Sequence, residues 1–529
     1  MASKLSSVVP LMVVFLCLQS LGTKASVHDY KGQKFSSSGN AFALHGGSEG
    51  LFASRLFVNS SDPNAAGSFI RFEKITFKRS NESAALNKSS SVHAIMFEIL
   101  DRDTLGGSAY GGQKAICCTP DLSMLGACTE GTIIYHTSNH SNNWPQLLTA
   151  TFKPGKTEAD LPSETIRIAQ TGMYNLYFIY CDPDLEGVLI EGKTIWKNPS
   201  GYLPGRMAPL MMFYGLISLA FVALGAYWFY QYSLFWREVM PLQNCITLVI
   251  TLGMLETTLW YFDFAEFNMT GIRPAGTTFW AATFGTVRKT ISRVLILLVS
   301  MGFGVVKPTL GGITSKVLLL GGTFFVASEV LEVVENVGAV SDQSTKAKLL
   351  FVLPVAMMDA LFIIWIFTSL SRTLNKLQAR RMTAKLEMYR KLTTALVAAT
   401  VVSLGWIGFE ASHFYCFLKN FFCIKTTDIY NEKWQTTWVI PALWQVISFS
   451  VLCVICSLWA PSQNSTRFAY SEDGFEDFDY EELHSPARHG SFSFRENWSY
   501  SMSPDTKVIL RSDSIIYKVT GLDEEDKRE

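Results

Sequence analysis

Seven long apolar segments follow one another between residues 207 and 459 of this chain of 529 residues. Each has at least about the 20 residues that an α-helix needs to cross a hydrocarbon core of about 30 Å. Only 17% of all residues are charged, against about 25% in soluble domains. The sequence therefore predicts a membrane domain of seven helices. The segments cover approximately residues 207–232, 240–262, 277–306, 316–337, 349–370, 392–414 and 434–459.

The start of the chain has the pattern of a secretory signal peptide. Lys4 precedes an apolar core from Val8 to Leu21, and the small residue Ala25 is suited to cleavage by signal peptidase. The apolar core is too short to span a bilayer, so an uncleaved membrane anchor is the less favoured interpretation. We predict a multi-domain membrane protein with a signal peptide at residues 1–25, a lumenal domain at 26–205, the seven-helix domain at 206–460 and an acidic, disordered cytosolic tail at 461–529.

Four short stretches of alternating character indicate β-strands in the lumenal region. They are RFEKITFKRS (71–80), HAIMFEIL (93–100), QLLTATFKP (146–154) and TGMYNLYFIYC (171–181). β-Branched and aromatic residues fill these stretches, and clusters of Gly, Pro, Asn and Ser separate them. No long helical periodicity competes with this pattern. We therefore predict that the lumenal domain is an all-β antiparallel sandwich.

Cysteines of the lumenal region would enter an oxidising compartment, where disulfide bonds are the default. Four candidates lie in the lumenal domain and two near a predicted lumenal loop late in the chain. A bridge between the β domain and that loop is one alternative, and the spacing does not choose among the pairings. Zinc is the weaker interpretation, because the C-x₂-C spacing and partner histidines of a structural site are missing. The six candidates are Cys117, Cys118, Cys128, Cys181, Cys416 and Cys423.

The charges of one loop predict the orientation of the helices. Residues 371–391, between the fifth and sixth segments, contain seven basic residues and one acidic residue, as the positive-inside rule requires of a cytosolic loop. The N-terminal domain then lies in the lumen, where asparagine sequons accept glycans. The predicted glycosylation sites are Asn59, Asn81, Asn87, Asn139 and Asn268.

Charged residues lie inside several of the apolar segments. The third segment contains Arg288, Lys289 and Arg293, and charges at bilayer depth are costly unless they face a protein interior or a wet cavity. The predicted topology places groups of other segments at a similar depth, which defines a polar layer. The other members of this layer are Glu256, Glu329, Glu332, Glu335, Asp359, Glu410 and His413.

Two interpretations of the polar layer remain open. In the first, its members form structural ion pairs, for example Arg288 or Arg293 with Glu332 or Glu329. In the second, they also line a lumen-facing polar cavity that binds a ligand or lipid headgroup or passes ions. In both, the bases of the third segment face acidic residues of the second, fourth and fifth segments.

Two of these stretches resemble a known family. MPLQNCITLVITLGMLETTLWYFDF (240–264) and RKTISRVLILLVSMGFGVVKPTLG (288–311) are similar to GOLD-domain seven-transmembrane proteins, also called the lung seven transmembrane receptor family, and within it to the transmembrane protein 87 group. The resemblance implies a GOLD-like β-sandwich over a seven-helix bundle and a location in the Golgi or endosomes. It also implies a bundle cavity that holds membrane lipid, for which the residues in the matching stretches are Glu256, Arg288, Lys289 and Arg293.

The predicted cytosolic tail contains a short sorting-like motif. In YEEL, Tyr480 and Leu483 fit the tyrosine-plus-hydrophobic pattern that clathrin adaptors read as an extended peptide. The pattern is common by chance, and a solvated acidic linker is an equally good interpretation.

The sequence favours a non-enzymatic function. HExxH, GxSxG, P-loop and GxGxxG motifs in their required contexts are missing, and neither a cofactor nor a metal is predicted. The zero net charge argues against nucleic acid. Three functions remain: a trafficking factor, a G-protein-coupled type of receptor, and a Golgi cation channel or its regulator. We favour the first, with a lumenal cargo, membrane lipid and coat proteins as partners, at the Golgi membrane or also at endosomes or the plasma membrane.

Overall fold

The structure is a computed structural model, and it describes most of the predicted lumenal and helical domains. The described residues are 26–53, 67–81, 83, 89–108, 114–126, 128–137, 144–303, 311–336, 345–421, 433–461, 511–512 and 515–516. The predicted signal peptide, Asn59, Asn87, Asn139, Cys423, Tyr480 and Leu483 lie outside them. Glu410, His413 and Cys416 belong to a described helix, but their side chains lie outside the description.

The chain divides into two units, Met1–Tyr470 and Ser471–Glu529. Within the described part of the second unit, Arg511–Ser512 pairs antiparallel with Ile515–Ile516. The β domain and the long helices belong to the first unit.

The first part of this unit is built from β-strands, as the sequence predicts. Two five-stranded sheets contain ten of the strands, in the orders β1-β12-β4-β10, with β9 also paired to β4, and β2-β3-β11-β5-β8. All of the strand pairs are antiparallel. The strands are β1 Val27–Lys34, β2 Ser36–Ser38, β3 Ala41–Leu51, β4 Phe69–Lys78, β5 Ser90–Glu98, β6 Gly107–Ser108, β7 Lys114–Ala115, β8 Gln146–Phe152, β9 Glu158–Asp160, β10 Thr165–Arg167, β11 Gly172–Tyr180 and β12 Leu189–Lys197.

An apolar core lies between the two sheets. Phe72 from β4 and Phe178 from β11 are both fully buried in it, as alternation along half-buried strands requires. The outer face of the second sheet is also buried, because Ile95 and Ile179 pack against Cys117 on that face. The central strands β5 and β11 are therefore buried on both faces, which confirms the predicted sandwich and adds a second apolar layer to it.

A β-bulge keeps the inward pattern of β4 in register with the core. Ile70 and Phe72 point inward before the bulge, and Ile75 and Phe77 point inward after it. Between them Lys74 has a left-handed backbone with φ of 49°. The extra residue shifts the alternation by one, which is what a bulge does to a strand.

Two disulfide bonds lie within the β domain. Cys117 is bonded to Cys181, and Cys118 is bonded to Cys128. All four lumenal candidates are thereby paired with one another. The alternative of a bridge from this domain to the late lumenal loop is therefore wrong.

Seven helices of 20 residues or more follow in the described chain. Six of them, all except the third, are long and apolar enough to cross a membrane. The third is the helix with Arg288, Lys289 and Arg293, whose charges make it less apolar. The helices are α1 Ala208–Leu234, α2 Pro241–Thr270, α3 Ala275–Ser300, α4 Thr314–Asn336, α5 Thr345–Ala379, α6 Thr383–Phe421 and α7 Val439–Leu458.

Main-chain hydrogen bonds join the β domain to the helices. The peptide nitrogens of Ser26 and Val27 donate to the carbonyl oxygen of Gly271, at 2.9 and 3.2 Å, just beyond the end of α2. The nitrogen of Gly205, which precedes α1, donates to the carbonyl oxygen of Gly50 in β3 at 2.9 Å. The two ends of the β domain are therefore fixed to two different helices.

Two side chains complete this junction. The buried Trp434, which precedes α7, packs against Phe52 with ring centroids 5.2 Å apart, and a Cβ atom at Gly50 would lie 2.4 Å from its ring. Asn268 of α2 donates from Nδ2 to the carbonyl oxygen of Ser200 at 3.0 Å and accepts from the nitrogen of Leu203 at 3.1 Å. Glycosylation of Asn268 stays a prediction, at a side chain that already binds the linker to α1.

Candidate polar layer of the helix bundle

Arg288 lies at the centre of the helix bundle and is 1% exposed. Its Nε donates to Glu256 of α2, which is 3% exposed. Its two terminal nitrogens donate to α7, at 3.1 Å to Oγ of Ser448 and at 3.0 Å to Oε1 of Gln445. One guanidinium thereby joins α2, α3 and α7, and its planar array of donors suits this task better than an ammonium would.

A glycine lets Glu256 approach α3. A Cβ atom at Gly285, one turn before Arg288, would lie 2.9 Å from Oε1 of Glu256. The guanidinium of Arg288 also lies over the ring of Phe221 of α1, 5.8 Å from its centroid. The pair is therefore enclosed by helices on several sides, where an ion pair is held in place by the absence of competing water.

The other two bases of α3 pair with the next two helices. Lys289 donates to Glu332 of α4, and Nδ2 of Asn336 donates to the other carboxylate oxygen of Glu332 at 3.1 Å. Arg293 donates from Nε and Nη2 to the two carboxylate oxygens of Asp359 of α5, and the distance from Nη2 to Oδ2 is 3.1 Å. These two pairs are more exposed than the pair of Arg288, with about a third of the side chains of Arg293 and Asp359 accessible.

The pairings differ from the examples inferred from the sequence. Glu332, the example partner for Arg288, pairs with Lys289 instead. Glu329 accepts a hydrogen bond from Oγ1 of Thr283 at 2.7 Å, and its Oε2 is buried without a hydrogen-bond partner in the described structure. The example pairings were wrong because the side chains of neighbouring residues on one helix point in directions about 100° apart. The sequence predicts how deep a residue lies in the membrane but not which way its side chain points around the helix.

The remaining predicted members of the polar layer are Glu335, Glu410 and His413. Glu335 is exposed near the end of α4 and has an interaction of its own. The side chains of Glu410 and His413 lie outside the described residues. Their membership in the polar layer stays a prediction.

One buried ion pair was missed by the sequence interpretation. Asp263 of α2 and Arg273, in the turn to α3, are 0% and 3% exposed, and Nη2 of Arg273 lies 2.8 Å from Oδ2 of Asp263. Thr278 donates to the other oxygen of Asp263. The available signal was Asp263 inside the apolar stretch LWYFDF, ten residues before an arginine across a short turn.

Two cavities of the described structure lie away from these pairs. An apolar groove of about 560 Å³ between α4 and α5 is lined by Leu318, Thr323, Val326 and Pro354, among others. A polar cleft of about 440 Å³ on the β domain is lined by Arg71, Glu73, Lys74, Lys193 and three further residues. Neither contains a member of the polar layer, so the lumen-facing polar cavity stays a prediction.

Metal ligation has no structural support among the described residues. They contain no group of three or more His, Cys, Asp or Glu side chains placed to hold a metal ion. The polar layer instead matches bases with acids one to one, which gives α3 fixed contacts with α2, α4 and α5.

A β-sandwich joined to long helices, with ion pairs inside the bundle and apolar side chains on its outside, defines a multi-pass membrane protein. Comparison with known families identifies its membrane domain. Residues 209–466 match the family model described as GOST, seven transmembrane domain, so the helical domain of this chain is similar to that family. Because the match includes α3, that charged helix counts as the remaining one of the seven transmembrane helices.

The curated relatives agree with this assignment. Transmembrane protein 87A of Xenopus tropicalis is 31% identical over 288 residues, which is 53% of this chain and 51% of the relative. Human transmembrane protein 87A is 33% identical over 275 residues, 52% of this chain and 47% of the relative. An uncharacterized protein of Schizosaccharomyces pombe is 22% identical over 414 residues, 74% of this chain and 76% of the relative. The chain spans about half the length of the first two relatives in these matches.

Proposed function

We propose that this protein acts in membrane trafficking at the Golgi and endosomes, with its β domain in the lumen and its tail in the cytosol. In this proposal the β domain binds a cargo or lipid, and the helices carry that binding event to the cytosolic face. No enzymatic step is part of it. The resemblance to the transmembrane protein 87 group motivates the compartment, and the signal-peptide pattern and loop charges motivate the orientation.

The observation that carries the proposal is the junction between the β domain and the helices. Ser26 binds the end of α2 through the main chain, Gly205 before α1 binds Gly50 of β3, and Trp434 inserts a ring beside Phe52. A ligand that changes the position of the β domain would therefore act on α1, α2 and the start of α7 together. A domain on a loose linker would lack this coupling.

The polar layer supports a carrier more than an open ion path. Each of its three bases has an acidic partner from another helix, and the guanidinium of Arg288 donates to side chains of two other helices inside the bundle. Fixed ion pairs set helix register, whereas conduction requires a continuous wet route with weakly held charges.

A cation channel is the second candidate, and Glu329 is the observation in its favour. Oε2 of this carboxylate is buried without a hydrogen-bond partner in the described structure, and ionisable side chains in membrane helices mark ion pathways. The test is cation flux in vesicles that contain the purified protein, with Glu329→Gln as the variant. Flux that the variant reduces supports the channel, whereas no flux above empty vesicles contradicts it.

Localisation tests the trafficking proposal first. We expect the full chain, tagged at its C-terminus and expressed at native level, to colocalise with Golgi markers at steady state. A predominant plasma-membrane signal would contradict Golgi retrieval and favour the receptor hypothesis.

A tail variant then tests retrieval directly. We expect Tyr480→Ala to raise the surface fraction measured by biotinylation, because it removes the side chain on which adaptor recognition depends. Tyr500→Ala is the matched control, since Tyr500 lacks a bulky hydrophobic residue three positions later. Equal surface fractions for both variants would show that the YEEL motif is unused.

A further inference from the structure

The junction contains a buried carboxylate whose two hydrogen-bond partners carry no permanent charge. Glu49 of β3 is 4% exposed. It accepts from Oγ of Ser26 at 3.1 Å and contacts Nε2 of His28 at 3.2 Å. Burial raises the pKa of Glu49, and the interactions with His28, Arg206 and Ser26 oppose that rise. A hydroxyl, an imidazole and the guanidinium of Arg206, which acts on Glu49 without an ion-pair contact, are weak compensation for a buried negative charge, which ordinarily requires a charged partner in contact.

Ser26 lies where such a partner can arise. It is fully buried, its nitrogen donates to the carbonyl oxygen of Gly271, and its carbonyl oxygen accepts from the nitrogen of Trp196 at 2.8 Å. Ser26 is also the residue that directly follows Ala25, the predicted end of the signal peptide. The predicted cleavage point and the buried junction therefore meet at a single peptide nitrogen.

We propose that Ser26 is the first residue of the mature chain and that its α-ammonium group is the cation that balances Glu49. Signal peptidase would add water across the peptide bond between Ala25 and Ser26. The carboxylate stays on Ala25 and leaves with the peptide, and the amine on Ser26 is protonated at lumenal pH because an α-amino group has a pKa of about 7.7–8.0. Cleavage thereby turns a neutral donor at the junction into a charged one.

The distances bring the ammonium within electrostatic range of Glu49. The nitrogen and Oγ of one serine are on the order of 3 Å apart from covalent geometry, and Oγ of Ser26 lies 3.1 Å from Oε2 of Glu49. The ammonium is therefore within about 6 Å of the carboxylate, a range in which an opposite charge favours the ionised form. An ammonium has three donors, so one can remain on Gly271 while another turns toward Glu49.

The consequence is a junction that becomes complete only after processing. Ser26 contacts β3 through Glu49, β12 through Trp196 and the end of α2 through Gly271. The ammonium would tie all three together by charge as well as by main-chain bonds. This inference depends on the predicted cleavage and not on the trafficking proposal.

The first test uses the full chain purified in detergent from a eukaryotic secretory host. We expect N-terminal sequencing to begin at Ser26. We expect reductive methylation at neutral pH to label the exposed Lys31 in the folded protein while labelling of the α-amine is lost, and to label both after denaturation. A mature chain that begins at another residue, or an α-amine that labels as readily as Lys31 in the folded protein, would overturn the proposal.

The second test separates the ammonium from the hydroxyl of Ser26. One variant carries a single extra glycine before Ser26, which moves the ammonium by one residue and keeps the serine; the other is Glu49→Gln. We expect each to lower the thermal midpoint of the full chain, and the combination to lower it no further than Glu49→Gln alone. Additive losses would show that the two groups act independently and would overturn the pairing. Glu164→Gln, at an exposed glutamate between β9 and β10, is the matched control for charge loss.

Discussion

The β domain and the helix bundle place their apolar and charged side chains in opposite ways. In the β domain Phe178 and Trp196 are fully buried between sheets. In the bundle Leu318 and Leu319 of α4 are 67% and 70% exposed, whereas Arg288 is 1% exposed. Apolar burial from water drives the folding of the first region, but lipid is as apolar as leucine and offers no such drive between helices. Buried ion pairs therefore specify how the helices of the second region pack.

The largest effect is expected from removing one partner of the central ion pair. Arg288→Met leaves Glu256 buried without its cation and removes the bonds to Gln445 and Ser448. We expect a loss of stability near the upper end of about 3–5 kcal/mol, measured as folded yield and thermal midpoint in detergent. Arg372→Met, at an exposed position of α5, is the control.

The same site gives a sharper comparison when both charges are removed. Arg288→Met combined with Glu256→Gln leaves no buried ion, so we expect it to recover part of the lost stability. If the double variant is as unstable as the single one, the shape of the side chains rather than their charge specifies the packing.

The disulfide bonds of the β domain are expected to have the next largest effect. They join residues 64 and 10 positions apart. In the chain-entropy model, loops of these lengths correspond to about 4 and about 3 kcal/mol. We expect Cys117→Ala with Cys181→Ala to lower the unfolding midpoint of the β domain more than Cys118→Ala with Cys128→Ala. The reverse order would show that local contacts, not loop closure, determine the contribution.

Much of the architecture could be predicted from the sequence because it rests on local patterns. Alternation gave the strands that contain Phe72, Phe97, Phe152 and Phe178, and apolar length gave the seven helices. Alternation could not predict the second apolar layer, which covers the outer face of β5 and β11. That layer depends on Cys117 and its surroundings, which reach the sheet from a distant part of the chain.

The candidate site could be predicted only as a layer. Depth along each helix follows from residue count, so the bases of α3 were correctly expected near α2, α4 and α5. Which acid meets which base depends on helix rotation, and this is why Lys289 and not Arg288 has Glu332. The pair of Asp263 and Arg273 was missed because one partner lies in a turn, outside the apolar segments.

A charge exchange tests this corrected pairing, with a smaller expected effect. Glu332→Lys alone should lower the folded yield, and Lys289→Glu in the same chain should restore much of it. Polar contacts between membrane helices contribute about 0.6–1.7 kcal/mol, and this pair is partly exposed. Glu332→Lys with Arg288→Glu is the mismatched control and should not recover. Equal recovery by both combinations would contradict a specific pair.

The smallest expected effect is a pH dependence confined to the β domain. His93 of β5 is buried, and its ring nitrogens contact Oγ1 of Thr149 at 3.0 Å and Oγ of Ser91 at 3.1 Å. Burial lowers the pKa of His93 below its ordinary value of 6.5. As pH falls through about 6.5, the unfolded chain takes up a proton that the folded domain resists, so the free energy of unfolding falls by at most about 1.4 kcal/mol per pH unit.

A comparison of two chains isolates this contribution from other groups that titrate. We expect the thermal midpoint of wild type minus that of His93→Gln to be nearly constant above pH 7. We expect this difference to decrease as the pH falls from about 6.5 to 5. Any titration of Glu49 is common to both chains and cancels. A difference that stays constant with pH would mean that the folded domain accepts the proton on His93 without cost. The β domain would then also tolerate a buried charge, and its contrast with the bundle would be weaker than burial alone indicates.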